Sequence, residues 1–414
     1  MMNTSTTGER SRARLLDWLD KRLPIRAFIE SQLTDYYPPK NLNAWYYFGV
    51  MSLVVLGIQL LTGIFLAMHY KPGVDTAHAS IEHIMREVEW GWLIRYGHST
   101  GASFFFIVVY LHMFRSLMYG SYRAPREVLW TLGMLIYLAL MAEAFMGYVL
   151  PWGNMSYWAA QVIINLFGTI PVVGAGLVEW IRGDYAVADA TLGRFFSLHV
   201  IAVPLGLLLL VTLHLVALRS VGSNNPEGIE VKDSLDAKGR PLDGIAFHPY
   251  YIVKDLLSVA VFLVVFTFVL FFAPTFGGLF LEPANFEPAN PTSTPEHIAP
   301  AWYFAPYYAI LRAVPDQRVG ALLMLLAVAS YLFLPWLDRS PARSMRYKAV
   351  PSRLALGLFA SSFMVLGILG LRPAGTTEVW LARAFTVVYF GFFWLMPIYS
   401  RLGRTKTVPV RISG

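Results

Sequence analysis

Apolar residues gather in eight long runs, near 45–69, 98–119, 129–150, 195–217, 255–273, 319–337, 354–371 and 379–399. Each approaches the ~20 residues a helix needs to cross a bilayer. Polar stretches separate them, and three of these are long: 151–194, 218–254 and 274–318. The pattern predicts an all-α integral membrane protein with eight transmembrane helices. The opening segment is polar and shows no cleavable leader; Arg10 to Arg26 reads as an amphipathic surface helix. Two amphipathic pieces, Tyr157 to Ile170 and Pro300 to Leu311, look too short or too polar to span. They are expected to lie as short helices over the ends of the bundle.

Composition strengthens this picture. Of 414 residues, 56% are hydrophobic and 14% charged, against roughly 25% charge in a soluble domain. The mean hydropathy is +0.51. A soluble enzyme, a disordered chain and a coiled coil are thereby disfavoured. The net charge of +7 is unevenly placed: 24 of the 33 Lys and Arg fall on one side of the expected bundle. That side should be cytoplasmic, with both termini on it. The excess is read as inside loops, not as nucleic-acid binding. The run Arg339, Arg343, Arg346, Lys348 and Arg353 is read as an inside anchor, with lipid binding as the alternative. Cysteine is absent, which leaves no thiolate chemistry, covalent c-type haem or Cys-ligated iron–sulfur cluster within this chain.

Four of the nine histidines lie inside apolar spans: His98 and His112 in the second, His199 and His214 in the fourth. A lone intramembrane histidine is often a packed residue, but four in two spans point to function. The separations are 14 and 15 residues, which keep each pair roughly on one helix face and about 21–22 Å apart along the axis. His98 and His199 then share an outer level, and His112 and His214 an inner one. Two opposed imidazoles at one level can clamp one flat iron macrocycle, so two levels make two stacked haems. Gly49 and Gly63 in the first span, and Gly133 and Gly147 in the third, repeat the 14-residue spacing. Close approach to a porphyrin favours glycine, which has no Cβ. Helix–helix packing by small residues explains glycines but not the shared spacing. Arg95 and Arg115 flank the outer and inner levels and are candidates for haem propionates, or else helix-end anchors. Iron held by two imidazoles has no open position and moves electrons. Two such haems stacked along the membrane normal make the chain electrogenic.

The chain resembles cytochrome b of the respiratory cytochrome bc complex (complex III), in a bacterial form, from about residue 14 to residue 400. The resemblance rests on RYGHSTGAS (95–103), GYVLPWGNMSYW (147–158), NLFGTIPVVG (165–174), RFFSLH (194–199), GSNNPEG (222–228), FHPYYIVKD (247–255), TPEHIAPAWYF (294–304) and LPWLDRSP (334–341). It implies a dihaem four-helix bundle at 45–220, preceded by a cytoplasmic segment at 1–44. A cytoplasmic loop at 221–254, a C-terminal four-helix domain at 255–400 and a cytoplasmic tail at 401–414 would follow. It implies a low-potential outer haem b, a high-potential inner haem b, and ubiquinone or ubiquinol at two sites. The implied activity is that of a quinol–cytochrome c reductase in the bacterial inner membrane. One quinol electron would pass to a Rieske iron–sulfur protein and cytochrome c1, and the other through both haems to the inner quinone, with protons released outside and taken up inside. A second copy of the chain and membrane lipid are the other implied partners.

By motif, the resemblance puts Phe145, Tyr148, Gly153, Ala159, Pro300, Trp302, Tyr303 and Tyr307 at the outer quinol site. For any one of these aromatics, an interfacial belt is the rival reading. It puts Arg219, Ser223, Asn224, Lys254 and Asp255 at the inner site, where Lys254 and Asp255 would relay protons or else form an ion pair capping the fifth span. Four departures stand out. Ala301 replaces a glutamate that the family's outer motif usually carries, and Glu296 is the candidate substitute, with water or the Rieske histidine as alternatives. Arg219 stands where a histidine is common; it cannot release a proton at working pH and would hold a quinone oxygen or a propionate. The 15-residue spacing of His199 and His214 differs from the mitochondrial form, and Pro204 between them is expected to distort the helix locally. Ala159 stands where many members have glycine, a change that narrows the outer pocket. Two other readings stay open: a dihaem anchor of another quinone-linked oxidoreductase, such as a formate dehydrogenase or hydrogenase, and a transporter with structural histidines.

Overall fold

The computed structural model describes residues 17–412, so Arg10 to Leu16 of the expected surface helix lie outside the described residues. Among the described residues the chain is helical, with three isolated β-bridges and no strand. A surface helix α1 (Ile25–Leu33) leads into α2 (Phe48–Ala67), α3 (Ala77–Arg86), α4 (Gly91–Tyr119) and α5 (Glu127–Val149). The first long connection holds α6 (Asn154–Phe167) and α7 (Gly174–Arg182). Next, α8 (Asp189–Ser197) runs through a π-helical turn at Leu198–Ala202 into α9 (Val203–Val221). The C-terminal half contains α10 (Ile252–Phe272), α11 (Ala305–Arg312), α12 (Gln317–Ala329), α13 (Val350–Gly370) and α14 (Thr376–Trp394).

Seven helical stretches are long and apolar enough to cross a membrane: Ala44–Ala67, Gly91–Tyr119, Glu127–Val149, Asp189–Val221, Phe247–Phe272, Gln317–Leu337 and Val350–Gly370. The eighth expected span is α14. It forms a 19-residue helix, but it does not meet that measure, because Thr376, Thr377, Glu378 and Arg383 dilute its apolar residues. The expected overlying helices at Tyr157–Ile170 and Pro300–Leu311 are present as α6 and as a 3₁₀ turn, Trp302–Phe304, continued by α11. The sequence reading missed α3 and α7.

Hydrogen-bonded caps fix several starts. The Asn43 side chain accepts from Trp45 N ahead of α2, and Asp316 accepts from Arg318 N and Val319 N at α12, satisfying donors that a helix start leaves free. Helix α4 ends at Gly120, whose φ is +70°. A Cβ there would also strike the Arg343 carbonyl, so this tight crossing needs glycine. Helix α2 packs along α4, and α5 along α9. In the C-terminal half α11 packs on α12 and α13, and α13 on α14. The interior between these groups is dominated by aromatic rings, with Phe106, Tyr137, Tyr307, Tyr389 and Phe393 all buried.

The side bearing most of the basic residues is tied by internal ion pairs. Arg126 makes a two-point contact with Glu230 at 2.5 and 3.0 Å, and Arg343 reaches the same carboxylate. Arg346 pairs with Glu227 at 3.1 Å, and Lys348 with Asp338 at 2.5 Å. Three members of the 339–353 run are therefore used within the chain rather than presented as a free basic anchor. Asp338 is fully buried and also accepts from Tyr122 at 2.7 Å. Burial alone would raise its carboxyl, but the Lys348 ammonium and Arg123 hold it below the usual carboxylate range. Stability from this group is therefore complete above the ordinary carboxylate pKa and is lost as pH falls through the depressed folded value. Asp338→Asn should destabilise the fold by about 3–5 kcal/mol, the usual result of stranding one buried charge. Its denaturation in detergent should occur at clearly lower denaturant concentration than that of the parent.

Candidate functional site: two histidine levels and two terminal pockets

The imidazoles meet as their spacing predicts. His98 of α4 and His199 of the π turn face each other with ring centroids 6.1 Å apart, and His112 of α4 and His214 of α9 lie 6.5 Å apart. Two imidazole–metal bonds of about 2 Å each, plus half of each ring, give a span close to this. The glycines fall where the shared spacing puts them. A Cβ at Gly63 would stand 3.2 Å from His98 Cε1, one at Gly49 3.3 Å from His112 Cε1, and one at Gly133 3.2 Å from His214 Cε1. At Gly147 a Cβ would collide with the His199 ring. One glycine therefore backs each histidine.

The π turn explains the 15-residue spacing. A π turn takes one residue more than an α turn. The extra residue is absorbed at Leu198–Ala202, directly ahead of Pro204, and His199 and His214 return to the phase of His98 and His112. Buried polar atoms remain without protein partners at the inner level: Arg115 Nε and His214 Nδ1. Arg95 is buried beside His98, His199, Gly63 and Gly147 around a cavity of about 210 Å³. These residues suit an anionic, planar, metal-bearing group at each level.

The outer aromatics fall in two adjoining spaces. Phe145, Pro300 and Tyr307 line a larger apolar cavity of about 1010 Å³. Tyr148, Ala301 and Tyr303 line the cavity of the outer histidines. Tyr303 stacks on Phe106 with centroids 3.9 Å apart. Trp302 donates from Nε1 to Ser103 at 3.1 Å. Gly153 packs against Asn285, and Ala159 is buried in α6.

Glu296 is exposed. A different carboxylate lies behind the lining residue Tyr148: Tyr148 Oη donates to Glu282 Oε2 at 3.0 Å, and Asn285 Nδ2 donates to both of those atoms at 3.0 Å. Main-chain bonds hold this group in place, from Asn154 N to Glu287 O at 3.0 Å and from Ala289 N to Trp152 O at 2.9 Å. Burial pushes the Glu282 carboxyl above the usual carboxylate range. No motif marked Glu282; only the folded-back loop brings it to Tyr148.

At the inner end, Arg219 lies over the rings of Tyr36 at 4.0 Å and Phe247 at 5.2 Å, and its Nη1 has no partner. Ser223 Oγ is 3.1 Å from Tyr36 Oη. The Phe247 N to Tyr36 O bond, 2.9 Å long, holds the two rings edge to face, with centroids 6.0 Å apart. Lys254 donates to Tyr250 Oη at 2.6 Å, and no ion pair with Asp255 is formed. Asn224 sits to one side, buried, donating to Tyr119 O at 2.7 Å. The sequence reading missed Tyr36 and Phe247, which lie on distant segments.

Comparison with known proteins identifies the family. The family profile "Cytochrome b/b6/petB" matches residues 33–222, and "Cytochrome b(C-terminal)/b6/petD" matches residues 288–390. A cytochrome b of Allochromatium vinosum is 56% identical over 96% of this chain and 98% of its own length. A cytochrome b of Rickettsia conorii is 48% identical over 99% of each. A protein of Bradyrhizobium diazoefficiens named cytochrome b/c1 is 44% identical over 96% of this chain and 56% of its own length. A solved structure titled "Hyperthermophilic respiratory Complex III" superposes with a TM-score of 0.86 at 40% identity, covering 93% of this chain and 98% of that one. With full-length relatives at such identity, the chain belongs to the cytochrome b family, as a haem-bearing, membrane-embedded electron-transport subunit of complex III.

Proposed function

We propose that the chain oxidises ubiquinol at its outer pocket and reduces ubiquinone at its inner pocket, as the eight-helix cytochrome b subunit of a quinol–cytochrome c reductase. The observation that carries this reading is the pair of opposed histidine levels, each histidine backed by glycine, placed between an apolar outer cavity and an Arg219–Tyr36–Phe247 cluster at the opposite end. Two bound haems b supply one-electron transfer between those pockets. His98 and His199 hold the outer haem, and His112 and His214 the inner one. Arg95 and Arg115 take their propionates. Phe145, Pro300 and Tyr307 enclose the quinol ring, with Tyr148 and Tyr303 at the edge nearer the histidines. Gly153, Ala159 and Trp302 shape the wall.

Ala301 offers no base, so the acceptor of a quinol proton is assigned to Glu282 through Tyr148, in place of Glu296. The quinol hydroxyl gives its proton to the Tyr148 oxygen, and Tyr148 gives its own to the Glu282 carboxylate. At the inner end, Arg219 and Ser223 orient a quinone beside the Tyr36–Phe247 pair, while Lys254 and Asp255 admit protons. The absence of cysteine sends the other electron to partner chains, a Rieske protein and cytochrome c1. The name of the Bradyrhizobium relative supports the second partner. The complex is a dimer in the bacterial inner membrane, with the basic side and both termini cytoplasmic.

The reading is tested on the purified complex by haem assay and optical spectra. Two b-type haems per chain, both reducible by ubiquinol, are expected. A single haem, or none, removes the assignment of the two levels.

A further inference from the structure

The four histidines differ in what stands behind their rings. His98 Nδ1 lies 2.9 Å from the Thr62 hydroxyl. His214 Nδ1 has no hydrogen-bond partner, and His112 Nδ1 lies 3.2 Å from Arg115 Nη2. His199 alone faces a carboxylate: its Nδ1 is 3.0 Å from Glu143 Oε1 and also 3.0 Å from the Glu143 main-chain oxygen. Glu143 stands one turn before Gly147, so both meet the His199 ring from one face of α5. Its side chain is 15% exposed, and Oε2 has no partner. No Lys or Arg pairs with it among the described residues. Keeping a carboxyl in such surroundings is costly, and an ionisable group at membrane depth marks function more often than packing.

We propose that Glu143 is a positioning residue that lowers the reduction potential of the outer haem and so favours electron passage from the outer level to the inner. The proposal rests on the two-haem reading above. The main-chain oxygen of Glu143 accepts from Nδ1–H and fixes the tautomer with the Nε2 lone pair free for the metal, and the carboxyl beside it makes that nitrogen a stronger donor. A stronger donor favours the ferric state, and hydrogen bonding of this kind is a recognised control on haem potential. Neither inner ligand, His112 or His214, has a carboxylate on its Nδ1. The two levels are thus made unequal by the residues behind the ligands, although the ligands themselves are alike.

The main-chain contact to His199 makes the test selective. Glu143→Gln removes the carboxyl but leaves the carbonyl that holds the ring. Potentiometric titration of the whole complex, followed by optical and low-temperature electron paramagnetic resonance spectra, resolves each haem. The expected result is two haems per chain, an unchanged inner midpoint, and an outer midpoint raised so that the electron equilibrium between the levels shifts at least tenfold, which is 59 mV for a one-electron couple. Glu143→Thr, which gives His199 a hydroxyl like that behind His98, should shift it in the same direction. An unmoved outer midpoint in a variant that retains both haems overturns the proposal. Loss of the outer haem from both variants also overturns it, since Glu143 would then serve retention rather than potential. If the parent complex itself lacks two haems, the underlying reading fails instead.

Discussion

His199→Ala should give a complex with one b-type haem per chain and no quinol-dependent cytochrome c reduction above background. The outer level depends on His98 and His199 meeting across 6.1 Å, and alanine leaves iron with a single protein imidazole there. Gly147 clears space for that same ring, and a Cβ alone cannot refill it. The inner level draws on other residues about 21 Å away along the helix axis, so its haem should remain and keep its spectrum. The selectivity is the informative part. Haem assay should fall by half, the surviving band should be the higher-potential one, and the variant complex should remain assembled. Retention of both haems would dissociate His199 from ligation. Loss of both would show one cooperative site rather than two levels.

Glu282→Gln should slow quinol oxidation by roughly 10²-fold, the lower end of what a positioned acid or base contributes. Glutamine keeps the size of the side chain and can still accept from Tyr148, but it cannot take up a proton. The pH profile separates this role from mere support. Burial raises the Glu282 carboxyl above the usual carboxylate range, so its basic form becomes available only at a higher pH than that of an exposed glutamate. Parent turnover should therefore climb with pH through that raised value, and the climb should vanish in the variant. Glu296→Gln, at an exposed position, should leave both rate and profile as they were. A Glu282→Gln enzyme with the parent profile would remove Glu282 from the proton path.

Much of this arrangement could be read from the chain because it depends on regular helices. Long apolar runs locate spans almost without regard to tertiary contacts. A 14-residue step along a helix returns to nearly the same face, which is why the glycine and histidine levels could be matched on paper. What escaped had a different origin. Glu282 reaches Tyr148 only after the 282–290 segment folds back on the Trp152–Asn154 turn. Tyr36 and Phe247 meet Arg219 from segments more than two hundred residues apart in the chain. The pairing of Arg343, Arg346 and Lys348 with Glu230, Glu227 and Asp338 could not be told from a free basic stretch, because hydropathy and charge counts do not record partners. The α14 helix shows the reverse limit: its packing in the fold is clear, while its composition is marginal for a span.

The wide turn at Leu198–Ala202 has a consequence for how such a protein can change over time. Adding or removing a residue inside a regular membrane helix rotates everything beyond it by about 100°, which would swing a histidine away from its opposed partner. A turn that takes in one more residue confines the change to a few peptide units, and the remainder of the rod keeps its bearing. Here that tolerance lies at the level of His199 itself, directly before Pro204. Lineages that disagree by one residue in this rod can therefore keep the same two histidine levels, and a gap at this point of an alignment need not signal their loss.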